Sequence, residues 1–143
     1  MGYPRNEDFK LKYDYDFSTQ GGAVSSITLS SDVNALEEGV IVKRVMVVVK
    51  TAFTSGGTPT VTLGNTGDTD GYMADIYALG TAGNVINSGQ VAGALIWDDT
   101  NDHEIWYPID STANNQNLVL TIGTAALTAG KLEIYLECSY DPD

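Results

Sequence analysis

The chain has 143 residues, 19 acidic against 7 basic side chains, one cysteine and a formal net charge of −12. That length fits one domain, which buries roughly two-thirds of the surface its unfolded chain exposes. A lone Cys138 excludes an internal disulfide, and no run approaches the roughly 20 consecutive apolar residues of a membrane helix. The first residues lack the apolar core of a signal peptide, so a soluble protein made in the cytosol, with no membrane partner, is expected. Residues 51–143 hold only Lys131 against twelve acidic side chains, which argues against nucleic acid as a partner because phosphate neutralisation needs clustered Lys or Arg.

Residues 1–9 are polar, carry Pro4 and show no period, the pattern of an extended N-terminal arm ahead of a single domain over residues 10–143. Residues 10–17 alternate, with Leu11, Tyr13, Tyr15 and Phe17 on one face and Lys10, Lys12, Asp14 and Asp16 on the other, which predicts a strand with one wet face. A turn at 18–22 leads to a shorter strand over 23–30 with Ile27 and Leu29 inward, and then to a loop over 31–39 that could hold a helical turn.

Residues 40–53 differ, since both parities are apolar. Ile41, Val45, Val47, Val49 and Phe53 fall on one side, Val40, Val42, Met46 and Val48 on the other. Such a strand is covered on both faces, either by the domain or by another subunit. Val40, Val42, Met46 and Val48 are therefore candidate contact residues on an outward face, and Lys43, Arg44 and Lys50 would guard the run against aggregation.

A Gly-rich turn at 54–59 precedes a strand over 60–63 and a loop over 64–71. Met73, Ile76, Tyr77 and Leu79 fit a short helix over 72–79 about as well as a strand, and Gly80 would cap the helix. Weak strands are expected over 84–91 and 94–97 and a better one over 103–109. The chain closes with alternating strands over 117–123 and 131–140. In the last, Leu132, Ile134, Leu136, Cys138 and Tyr140 share the apolar parity; there the free thiol acts as a small buried hydrophobe. Eight or nine short strands with Gly, Ser, Thr, Asn and Asp at the breaks specify an all-β fold, an antiparallel β-sandwich that is jelly-roll-like, with at most one short helix.

Three clusters could carry chemistry. His103 stands among Asp98, Asp99, Asp102 and Glu104, but one histidine without another His or a nearby Cys makes no ordinary zinc site, and Asp/Asn runs between strands are usually solvated turns. Asp68 and Asp70 before Gly71 resemble the centre of a calcium loop, yet Tyr77 falls where an EF-hand needs its bidentate Glu. Trp97, Trp106 and Tyr107 flank the acidic turn and could stack on a sugar, although alternation around Trp106 suits core or subunit contact better. No nucleophile elbow or phosphate loop occurs. The expectation is a protein that is not an enzyme, with neither cofactor nor bound metal.

The acidic Gly/Thr/Ser/Asn-rich β-composition, with the segments 64–72 and 118–136, resembles the small decoration or cement proteins of tailed-bacteriophage heads. The resemblance implies a jelly-roll-like subunit, dimeric or trimeric, on the capsid exterior, bridging copies of the major capsid protein in the virion. It also implies that the arm, with Tyr3, Pro4 and Arg5, reaches a neighbour; Trp106, which alternation sets opposite Ile105 and Tyr107, is a further candidate contact residue. The alternative is a carbohydrate- or receptor-binding module of a phage tail or fibre, resting on Trp97, Trp106 and Tyr107.

Overall fold

The computed structural model describes residues 8–29, 36, 38–91, 93, 95–96, 109 and 116–140. Among them are eight strands: β1 (Asp8–Asp16), β2 (Ser25–Leu29), β3 (Val40–Ser55), β4 (Thr60–Asn65), β5 (Asp68–Met73), β6 (Val85–Asn87), β7 (Leu118–Gly123) and β8 (Leu127–Tyr140). Helix among the described residues is confined to two single turns, α1 (Phe17–Gln20) and α2 (Ser88–Val91). The strands form two four-stranded antiparallel sheets, in the orders β1-β8-β3-β6 and β2-β7-β4-β5. The first strand thus pairs with the last, the second with the second-last, the third with the sixth and the fourth with the fifth. That is one long hairpin rolled over itself, the connectivity of the eight-stranded jelly roll.

Alternation fixes the inner faces. Leu11, Tyr13 and Tyr15 from β1 and Leu132, Ile134, Leu136 and Cys138 from β8 are at most 2% exposed. They meet Leu29, Val61, Leu63, Leu118, Leu120 and Ile122 from the opposite sheet. Each such side chain contributes about 1.5–3 kcal/mol by leaving water. At the closed end the Tyr15 and Phe53 rings pack 5.8 Å apart, and the Tyr15 hydroxyl donates to the Gly21 carbonyl at 2.5 Å, tying the turn after α1 to the sheet.

β3 departs from its sequence reading in one respect. Its register against β8 shifts between Val42 and Arg44, so Lys43 is an extra residue in a β-bulge, and a bulge exchanges the two faces of everything beyond it. Val40 and Val42 therefore point into the core beside Val45, Val47 and Val49, while Met46 and Val48 keep the expected outward, half-buried position. The Val45 amide beyond the bulge donates to the buried Ser88 Oγ at 2.9 Å.

The helix expected over 72–79 is not formed. Tyr72 and Met73 complete β5, and the following loop is stitched to neighbouring strands, with the Ile76 amide donating to the Val61 carbonyl and the Phe53 amide to the Leu79 carbonyl, both at 2.9 Å. The expected 64–71 loop is instead a hairpin turning at Thr66 and Gly67, closed by the Asp68 amide on Asn65 Oδ1 at 2.8 Å. β1 begins at Asp8, two residues ahead of the expected strand.

The sheet edges differ in their protection. β1 is studded with charge, a common guard against edge-to-edge pairing. β5 is covered, because the Ala74 amide donates to the Val91 carbonyl and the Leu95 amide to the Gly71 carbonyl, both at 2.8 Å. This close approach needs Gly93, where a Cβ would lie 2.1 Å from the Asp70 carbonyl oxygen.

Candidate interaction surface

The outer face of the β1-β8-β3-β6 sheet gathers every basic residue among the described residues: Lys10 and Lys12 on β1, Lys43, Arg44 and Lys50 on β3, and Lys131 on β8. Register sets them beside the acidic residues of the same strands. One row runs Lys10, Glu137, Arg44; the next Lys12, Tyr135, Met46, Asn87; the next Asp14, Glu133, Val48, Val85. Each row begins charged at β1, and the two that reach β6 are uncharged on β3 and β6, giving one sheet face two halves of different chemistry.

Glu133 organises the charged half. Its carboxylate receives Lys12 Nζ at 3.0 Å and Lys50 Nζ at 3.3 Å, and the Tyr135 hydroxyl donates to it at 3.1 Å. The hydrogen bond from Lys12, with those from Lys50 and Tyr135, outweighs the opposing effect of burial and holds this carboxyl down at about 2. Beside it Arg44 meets Glu137 at 2.8 Å, and Lys43 reaches Asp8 at 3.0 Å; the Lys43 hydrogen bond holds the Asp8 carboxyl below its usual range. Lys12, Lys50, Lys131, Asp14, Asp16 and Glu133 line an open groove of about 570 Å³ along this half.

The apolar half comprises Met46, Val48 and Val85, with Tyr135 at its border. Val85 is 57% exposed on the three-residue edge strand β6. Adjoining it, the Asn84 side-chain amide donates to the Ala78 carbonyl at 2.8 Å and pins Ala78 at a φ of 59°, a left-handed conformation costly for any residue with a Cβ. Tyr77, immediately before Ala78, is 47% exposed. The outer face of the second sheet is unlike this one, since β2, β4 and β7 carry no charged residue. Its outward positions include short hydroxyl groups such as Ser26 and Thr121, 2.9 Å apart.

Two further sheet positions have ionisable groups shifted by their surroundings. Burial, followed by its hydrogen bond with Asp70, raises the Asp68 carboxyl above its usual range. Burial pushes the Cys138 thiol up to about 12, which leaves it protonated and unreactive at neutral pH, as its place on the inner parity suggested.

A chain of the capsid asymmetric unit of cyanophage Pam1 superposes on this protein with a TM-score of 0.64 at 16% identity, over 99% of this chain and 93% of that one. The likeness is one of fold. No protein-family description matches the sequence, and no curated protein matches it either.

Of the contact residues read from the sequence, Met46 and Val48 lie together on the outward face, and Val40 and Val42 lie inside. Tyr3, Pro4, Arg5 and Trp106 fall outside the described residues, as do Trp97, Tyr107 and the acidic cluster around His103. Sequence reading missed Val85, Tyr77 and the convergence on Glu133. Val85 stands in a weakly patterned stretch, and the meeting of Lys12 with Lys50 requires the β1-β8-β3 register.

Proposed function

We propose that this chain is a structural virion protein that binds the outer surface of a phage capsid and stabilises it by bridging major capsid subunits, with neither cofactor nor catalysis. The observation that carries this reading is the jelly-roll likeness to a chain of the Pam1 capsid asymmetric unit over nearly the whole of both chains. The charge balance supports it, because a net charge of −12 keeps a protein soluble at the high local concentration that decorating a shell demands. In this reading the protein is made in the host cytoplasm, associates with itself and then adds many modest contacts to an assembled shell. Multivalency makes their sum large.

The test is co-sedimentation of the purified protein with phage heads that lack it, followed by heating of the decorated and bare heads. Saturation at a fixed number of copies per head, with decorated heads surviving to higher temperature, is the expected result. A protein that stays in the supernatant at every head concentration rules the reading out. Binding to a glycan array in its place would move the protein to the receptor-binding class.

A further inference from the structure

We infer that the apolar half of the β1-β8-β3-β6 face, centred on Met46, Val48 and Val85 and bordered by Tyr77, is the surface through which this chain binds a second copy of itself. The inference deepens the capsid reading, on which its biological setting rests, by naming where the copies meet.

Charge selects the face. Two copies at −12 each repel over the distance of a Debye length, about 8–10 Å at ordinary salt. They can come into contact only where local charge is balanced. The strands of this face carry six basic residues against five acidic ones, Asp8, Asp14, Asp16, Glu133 and Glu137, whereas the other fourteen acidic residues of the chain have Arg5 as their sole basic counterpart.

Apolar area then selects the half. Among the described residues three large apolar side chains stand well out in solvent: Val85 at 57% and Tyr77 at 47% flank the Asn84–Ala78 hydrogen bond in the chain, and Val24 at 55% lies ahead of β2. Val85 pairs with Val48 across the strands, extending the patch inward from the sheet edge. The second sheet, uncharged over β2, β7 and β4 and acidic at β5 through Asp68 and Asp70, competes poorly, because covering Ser and Thr hydroxyls gives up water contacts for little apolar gain. A loop tied through Ala78 to the residue before Val85, and carrying the exposed Tyr77, has the make-up of an interface centre, aromatic and apolar within a charged rim.

The salt response has a definite sign. Screening removes the repulsion between two acidic bodies and leaves the apolar contact, so self-association tightens as salt rises toward about 0.5 M. A contact made by the basic groups against an acidic partner weakens under the same change.

The experiment is light scattering and sedimentation equilibrium of the purified full chain, without shells, across concentration and salt. Wild-type protein is expected to associate and to tighten with salt. Val85→Asp and Tyr77→Ser are each expected to weaken association about tenfold or more, Val85→Leu to retain it, and Val24→Asp to change it less than about twofold. Circular dichroism melts confirm that each variant folds, and Tyr77→Ser, outside any strand, guards against misfolding of the edge-strand variant. A wild-type chain that stays monomeric at millimolar concentration overturns the inference, as does equal disruption by Val24→Asp or loosening by salt. Self-association by this patch without shell binding would sink the capsid role alone; shell binding by a monomer would sink the interface alone.

Discussion

Two backbone positions show how much of this fold rests on single residues. Gly130 sits in β8 at a φ of 146°, and a Cβ added there would lie 2.6 Å from a carbon of the Phe53 ring. Phe53 fills the space that the glycine leaves open, which is how aromatic residues commonly protect strand glycines. Gly130→Ala must therefore strain the backbone and displace a ring that also packs on Tyr15. A loss of about 1–3 kcal/mol is expected in urea unfolding; an unchanged midpoint would show that the ring moves freely. Thr124, after β7, holds a φ of 68° with a branched side chain, so Thr124→Gly is expected to raise stability by up to about 1 kcal/mol.

At the scale of elements, the Glu133 cluster binds three strands together and makes that binding pH-dependent. Its carboxyl titrates at about 2 in the folded chain against an ordinary 4.5. The folded state therefore holds the ionised form more tightly than the unfolded state does. This stabilisation is fully present above about 4.5 and is lost as pH falls toward about 2. Unfolding midpoints measured down that range should drop for wild-type and drop less for Glu133→Gln; parallel curves would mean that the lysines are held for other reasons. Little of this cluster was legible in advance. The alternation of β1 and β8 gave their inner faces directly, because polar and apolar residues take turns there. β3 gave no such signal, since valine occupies both parities and nothing in its sequence marks the bulge at Lys43. Paired substitutions test the exchange of faces: Val42→Ala should cost about 1–3 kcal/mol as a core deletion, and Met46→Ala much less in the isolated chain. The mistaken helix over 72–79 has an equally local cause. Met73, Ile76 and Leu79 recur every three residues, and all three are buried, but their backbone bonds run to β4 and β3 rather than along a helix.

For the whole molecule, the rolled hairpin dictates an order of assembly. The β4–β5 pair closes over Thr66 and Gly67, the smallest loss of chain entropy available to any pair in the roll. Each further layer, β3 with β6, β2 with β7 and β1 with β8, encloses a longer stretch of chain. Contacts between distant segments give no return until their loop is closed, so a fold dominated by them crosses its barrier slowly, in milliseconds to seconds. The transition state should hold the inner turns of the roll and leave β1 undocked. Leu63 and Leu11 are both fully buried, so removing either costs comparable stability, yet the two substitutions should divide that cost differently. Leu63→Ala in β4 is expected to slow folding, whereas Leu11→Ala in β1 should leave the folding rate nearly unchanged and speed unfolding. Stopped-flow chevrons separate the two. If Leu11→Ala slowed folding as much as Leu63→Ala, the closing pair β1–β8 would be part of the nucleus, and the roll would form by collapse of both ends together.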